Sequence, residues 1–411
     1  MKAKRLFAAV SAAVMSATCA AAFCGCAPRS EVLKIYNWGD YIEESLIGEF
    51  EDWYKAETGE NITVKYDTFD TNETMIMRIE TQKADYDLGC PSDYMAERMI
   101  KTGLAKKVNT DIFDMKGEDI FYDGLADMIQ PFDENNEYFV PYVWGTFGIM
   151  YDVNKIEAGS PEMETWGALW SDQWQKQSGK KRTLMKDSVR DAYSLARIYA
   201  NTDKLSQLSN GFTDYNDEYR KELVSYFSEI NASAIAEAQN ALIKQKSVIC
   251  KYEVDDGKND MLAGTTDAWL GFFWSCDAGL IMIEDGGEHF YYTVPKEGSN
   301  VWVDGWLIPK YAKNTKAANY FLKFINMHEY AATNFEWMGE SVAVKSVMDE
   351  AKRAIEEDDE FEDGYYEGYK QMYLDMMFPS QEVLSRCGIM RDFGIKMNTE
   401  LDSMWIDVKT M

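Results

Sequence analysis

Aromatic rings set beside carboxylates are the side chains in this sequence with chemistry to offer. Tyr36-Asn37-Trp38-Gly39-Asp40-Tyr41, Pro91-Ser92-Asp93-Tyr94, Asp187-Ser188-Val189-Arg190-Asp191, Trp274-Ser275-Cys276-Asp277 and Val301-Trp302-Val303-Asp304-Gly305-Trp306 combine aromatic and acidic residues, apart from the 187–191 run, which has two acids and no aromatic ring. An ammonium that leaves water must keep its charge paired and its hydrogen bonds made, which calls for buried carboxylates. Methylene stretches between amines need apolar walls, and a Trp or Tyr face supplies one while attracting the adjacent cation. These segments therefore suit the capture of a small organic polycation such as a polyamine. The catalytic inventory is thin by comparison. His289 and His328 are the two histidines, neither in an HExxH arrangement, and the chain contains no GxSxG elbow, Walker loop or GxGxxG turn. No stretch has calcium-loop spacing, so neither metal nor cofactor is expected. A carboxylate-based extracellular hydrolase is the rival from another class, but nothing places two acids at catalytic separation.

These segments fall mostly where strands should end. Residues 33–38 read as a strand, 43–58 as a helix with Leu46, Ile47, Phe50, Trp53 and Tyr54 on one face, and 62–66 as the next strand. A helix over 71–83, a strand over 86–90 and a helix opened by Pro91-Ser92 continue a βαβ rhythm, which implies a largely parallel sheet. The pattern restarts with an extended segment at 138–151, a strand at 182–185 and a helix at 187–201. Strands at 247–252, 268–274 and 303–308 follow, with helices at 316–327 and near the C-terminus. Two α/β lobes fit this better than one sheet. Ligands of open α/β sheets bind beyond the carboxyl ends of strands, so most of these segments should converge on one cleft. The acidic run at 356–366 lacks apolar periodicity and is expected as an exposed loop or helix face.

The N-terminus reads as an export leader: Lys2, Lys4 and Arg5 precede an uncharged apolar stretch over 6–23. Phe23-Cys24-Gly25-Cys26 resembles a bacterial lipobox, which would make Cys26 the lipidated first residue, anchored by acyl chains outside the cytoplasm. Without residues 1–25, which hold three basic and no acidic side chains, 39 basic face 70 acidic residues, a formal charge of −31. Such a field repels nucleic acid and anionic headgroups and gathers cations. Cys90, Cys250, Cys276 and Cys387 remain, at spacings that match no compact disulfide or zinc scaffold and leave bridges and free thiols both open.

Taken in order, Tyr36-Asn37-Trp38 with Tyr41, Ser45-Leu46, Asn72-Glu73-Thr74-Met75, Tyr86-Asp87-Leu88, Pro91-Ser92 with Tyr94, Val140-Pro141-Tyr142-Val143-Trp144-Gly145, Val294-Pro295-Lys296-Glu297-Gly298 and Trp302-Val303-Asp304 resemble the bacterial spermidine/putrescine-binding proteins of ABC importers, across residues 32–339. The resemblance implies an α/β, two-lobed periplasmic-binding-protein fold (type II) with the ligand cleft between the lobes. It divides the chain into 26–146 (first lobe), 147–302 (second lobe), 303–347 (return to the first) and 348–411 (return to the second). It implies that Trp38, Tyr41, Ser92 and Tyr94 line the cleft from the first lobe, that Trp274 and Trp302 sandwich the methylene chain, that Asp304 is the main amine anchor, and that Asp191 is an acid on the opposite lobe. Ser188 stands where many members have an acid, for which Asp187 would compensate. Glu340 stands where tyrosine is common and would add a carboxylate, and Leu384 stands where a polar side chain is frequent. The implied partners are a polyamine and a membrane permease, with the binding protein a monomer. A same-fold protein for thiamine, an aminophosphonate or ferric iron is the nearest rival, but iron would want tyrosine and histidine ligands and a phosphonate basic residues or helix N-termini.

Overall fold

Strand β1 (Val32–Trp38) shows how this chain sorts its two faces: Leu33 and Ile35 enter one core, while Tyr36 points to the other and stacks on Tyr86 with centroids 4.3 Å apart. The computed structural model describes residues 28–411 apart from 116–119, 254–255, 286–288 and 359–367. The leader, the lipobox with Cys26 and most of the acidic run thus lie outside the described residues. β1 pairs in parallel with β2 (Thr63–Phe69) on one side and β3 (Leu88–Gly89) on the other, giving the order β2-β1-β3. The helix Ser45–Thr58 buries Leu46, Phe50 and Tyr54 and ends at Gly59, whose φ of 75° suits a residue without Cβ. Phe50 packs edge-on against Phe321 and Phe324 of the helix Thr315–Ile325. Thr71 caps the helix Asn72–Glu80 by accepting the Thr74 amide. This first lobe also holds the short strand β4 (Ala105–Lys106).

β5 (Val140–Asp152) and β10 (Ser299–Trp306) run from the first lobe into the second, whose sheet they share with β6 (Thr183–Lys186), β7 (Ile249–Glu253), β8 (Leu270–Trp274) and β9 (Phe290–Thr293). β11 (Ile308–Pro309) returns to pair with β4, and β12 (Cys387–Gly388) adds to β10. The sheet order is β12-β10-β5-β8-β6-β7, with β9 also on β5, and β6 runs parallel to both β7 and β8. Helices Val189–Ala200, Ala232–Gln245 and Ile395–Thr410 pack together on this lobe. The expected strand at 303–308 is corrected in extent: it begins at Ser299, where β12 pairs with it, and breaks after Trp306. All four remaining cysteines are free thiols.

β5 and β10 join the lobes. Paired antiparallel, they match Gly145 with Trp302 and Val143 with Asp304, and the register slips between Asp304 and Gly305. Val140, Val143 and Trp306 sit in the core with Phe50 and Phe321, whereas Phe147, Ile149 and Tyr151 sit in the core with Trp166 and Phe272. A charged contact also crosses the seam. Glu97, fully buried on the helix Asp93–Lys101, accepts Arg391 Nη2 at 2.6 Å and Nε at 3.0 Å and the Asp392 amide at 2.8 Å, while Arg391 is tied to the second lobe through Phe227.

Burial pushes the Glu97 carboxyl up, but the Arg391 and Lys101 hydrogen bonds and the Asp392 amide outweigh it and hold the pKa below the ordinary value. Arg391→Met should therefore cost about 3 kcal/mol of stability at pH 7 in denaturant unfolding, because the buried carboxylate keeps only Lys101 and the Asp392 amide. Since a depressed acid stabilises above its unfolded pKa and loses that contribution as pH falls, the difference between variant and parent should shrink toward pH 4.

Candidate ligand-binding site

The first lobe's wall is assembled on β10. Trp302 and Asp304, two residues apart, share one strand face while Val301 and Val303 fill the core behind them. Trp302 lies across from Gly145, and a Cβ there would come within 2.6 Å of its ring and would also collide with the Ser275 hydroxyl. The turn before the helix Asp93–Lys101 is strapped to the same strand: Ser92 bridges to Asp304, the Gly305 amide reaches Pro91 O at 3.1 Å, and the Val303 amide donates to Asp93 Oδ2 at 3.1 Å. Asn72 fixes the turn by donating to Ser92 Oγ (3.0 Å) and the Tyr94 hydroxyl (3.1 Å) and accepting the Ser92 amide (3.1 Å).

Tyr41 donates to Asp304 Oδ2 at 2.9 Å, and its own carbonyl accepts the Tyr142 hydroxyl at 2.8 Å. Asp304 is 8 % exposed, and its Oδ1 receives no hydrogen bond of ordinary geometry. Burial pushes its carboxyl up to about 6, against the opposing pull of the Ser92 and Tyr41 hydroxyls. The indole nitrogens of Trp38 and Trp302 are likewise buried without a partner in the chain. Such atoms call for an explanation, and Trp302 and Asp304 carry two of them on one face of β10. Glu340 lies close enough for its charge to raise the Tyr41 and Tyr142 hydroxyls.

On the second lobe, Trp274 ends β8 and donates through Nε1 to Asp191 Oδ2 at 3.1 Å. Asp191 sits in the first turn of the helix Val189–Ala200, and burial pushes its carboxyl up to about 6, over the lowering effects of Ser188, Trp274, Arg190 and Lys186. Arg190 lies with its guanidinium 3.9 Å above the Tyr94 ring, so the two lobes meet beside Asp191.

The structure thus brings Trp38, Tyr41, Ser92, Tyr94, Trp302, Asp304 and Glu340 together on one side of the seam and Asp191 and Trp274 on the other. Asp187 is placed differently. It accepts Trp405 Nε1 at 2.7 Å and Lys409 Nζ at 2.8 and 3.0 Å, so its carboxylate fastens the C-terminal helix instead of compensating for Ser188. Leu384 is core, packed among Val301, Val303 and Ile389. Sequence reasoning missed Asp93, whose two oxygens hold the strap, and Lys186, whose buried ammonium lies 4.4 Å from the Trp274 ring. A basic residue at the carboxyl end of a strand, one position before Asp187, was the available signal for Lys186.

Two α/β lobes joined by a strand pair, with acids and indoles gathered at the seam, define a solute-binding protein of the periplasmic-binding type. Residues 49–363 match the model of the bacterial extracellular solute-binding protein family, and the chain belongs to that family. It is a family of transport binding proteins. The spermidine/putrescine-binding periplasmic protein of Salmonella typhimurium is 28 % identical over 315 residues, 76 % of this chain and 78 % of the relative. The putrescine-binding periplasmic protein PotF of Escherichia coli is 26 % identical over 308 residues, 73 % of this chain and 74 % of the relative. Among solved structures, the spermidine/putrescine ABC transporter substrate-binding protein PotD of Streptococcus pneumoniae superposes with a TM-score of 0.67 at 25 % identity, covering 93 % of this chain and 99 % of that one. The TpPotD lipoprotein of Treponema pallidum shares the fold, with a TM-score of 0.66 at 22 % identity over 92 % of this chain and all of that one.

The close approach of Trp302 to Gly145 makes a sharp test of the wall. Gly145→Ala should displace the indole and weaken ligand binding about tenfold or more in calorimetry, with a smaller effect on the melting temperature. Unchanged affinity would show that Trp302 does not touch the ligand.

Proposed function

We propose that this chain is the extracytoplasmic binding component of an ABC importer and that its ligand is a polyamine, tethered outside the cell membrane through a lipid on Cys26. Its lobes would exchange chain at residues 146/147, 302/303 and 347/348. One ammonium lies at Asp304, with Tyr41, Ser92 and Glu340 around it, a second lies at Asp191, and the methylenes run past Trp38, Trp302 and Trp274. The observation that carries this reading is a pair of buried carboxyls, one from each lobe, Asp304 beside the Tyr41 hydroxyl and Asp191 beside the Trp274 indole, each pushed up to about 6 by burial. A buried acid of that kind gains most from a cation brought to it. The names of the relatives and of the pneumococcal structure, and the acidity of the chain, point the same way. The same acids disfavour a phosphonate, and among the described residues no three histidine, cysteine or acidic side chains gather to hold an iron ion.

Removing one partner of a buried charge pair costs about 2–5 kcal/mol, so Asp304→Asn should weaken spermidine or putrescine binding by about 30-fold or more in calorimetry. Unchanged affinity would take Asp304 out of the site. Titration of either amine should also change the tryptophan fluorescence, and a flat response to both would count against the ligand class.

The pH dependence has a definite sign. Protons compete with ammonium for Asp304 and Asp191, so affinity should fall as pH drops through about 6. In the ligand-free protein the raised carboxyls bind protons that the unfolded chain releases, so they stabilise the fold at low pH, and that contribution is lost as pH rises from the unfolded acid value of about 4 through 6. The melting-temperature increase caused by the amine should therefore be larger at pH 7.5 than at pH 5.

A further inference from the structure

The second lobe already holds a cation in the manner expected for a ligand amine. Lys186 ends β6, Glu253 lies opposite it at the end of β7, and Asp277 opens the helix Ser275–Asp285 that follows β8, so all three stand at the carboxyl rim of parallel strands. That rim is where open α/β sheets receive ligands. Lys186 Nζ is 2.5 Å from Asp277 Oδ2, 3.4 Å from Glu253 Oε1, 4.4 Å from the Trp274 ring centre and 5.5 Å from that of Phe273. Its side chain has no exposed surface. Burial lowers its pKa, but the charges of Asp277 and Glu253 outweigh burial and raise it, so it is an ammonium at neutral pH. Two carboxylates and an aromatic face are what a polyamine nitrogen would seek, and here they are taken.

We infer that Lys186 is a built-in ammonium that fills the second lobe's outer amine position, so that the site selects a linear diamine over a triamine. The inference rests on the polyamine reading above and narrows it. Two amine positions remain, Asp304 with Glu340 on one lobe and Asp191 on the other, and Ser188 adds no third carboxylate. A further ligand ammonium pressed toward Trp274 would meet Lys186 through the ring it must share, and juxtaposed like charges in a desolvated site are strongly unfavourable. Arg190 has a similar effect at Tyr94: its guanidinium already covers one face of that ring at 3.9 Å and sits 4.4 Å from Phe393.

Calorimetric titration of the intact chain with putrescine and with spermidine tests this directly. Putrescine should bind about tenfold more tightly or better. Equal affinities, or a preference for spermidine, would overturn the diamine inference and leave the polyamine reading standing, whereas no binding of either removes both. Lys186→Ala opens Asp277 and Glu253 to the ligand, and the putrescine-to-spermidine affinity ratio should move about tenfold toward spermidine. The ratio is the informative quantity, because a structural defect that weakens both amines alike leaves it unmoved. Should Lys186→Ala fail to fold, the double variant Lys186→Met with Asp277→Asn removes one charge of each sign and should shift the ratio the same way. An unchanged ratio in either folded variant refutes the role assigned to Lys186.

Discussion

A carboxyl group bonded to a tyrosine through one oxygen, unmet at the other and almost out of reach of water is stable in one of two ways: it takes up a proton, or it lies beside a cation. Asp304 is such a group, and much of the molecule is arranged to keep it so. Tyr41 is fixed through Tyr142 and Asn334, Ser92 through Asn72, and the strap between them through Asp93. These supports come from four separate stretches of chain, and none of them supplies positive charge. The environment is therefore preorganised for a guest, and the energetic shortfall of a desolvated acid is the driving force for accepting one.

The second lobe solves the same electrostatic problem in two ways. At Asp277 and Glu253 the chain neutralises buried acid with its own lysine, while at Asp191 it offers an indole N–H and leaves the carboxyl elevated. Adjacent acids on one rim thus differ in whether they are available. Buried ion pairs contribute little net stability, since desolvation offsets attraction, but they are unforgiving of change, which suits a residue that sets the shape and charge of a cavity wall.

The seam strands and the place of Trp302, Asp304 and Ser92 on them were legible in the sequence because the signals are local. Trp302-Val303-Asp304 reads as alternation on a strand, and Pro91-Ser92 reads as a helix start; both lie where expected. What the sequence could not convey is which acid faces which partner. Asp187 and Asp191 sit four residues apart and look equivalent on paper, yet Lys409 and Trp405, more than two hundred residues away, claim Asp187. Lys186 offered only its place at a strand end, because its meaning depends on Glu253 and Asp277, which converge only after the sheet forms. The helices Asp217–Ser228 and Ala232–Gln245 carry no site chemistry that a sequence could announce, yet they pack on the helix that presents Asp191, with Thr202–Leu208 behind the first of them.

The slip in register between Asp304 and Gly305 falls within the strand pair that carries the chain from lobe to lobe. Gly305 is tolerated there because Phe139 and the Val140 carbonyl crowd the space a side chain would occupy. A ladder flexes most easily where its rungs are already offset, so the softest point of the connection falls beside the buried Asp304 carboxyl. Any turning of one lobe against the other about that point would re-aim the carboxyl as well.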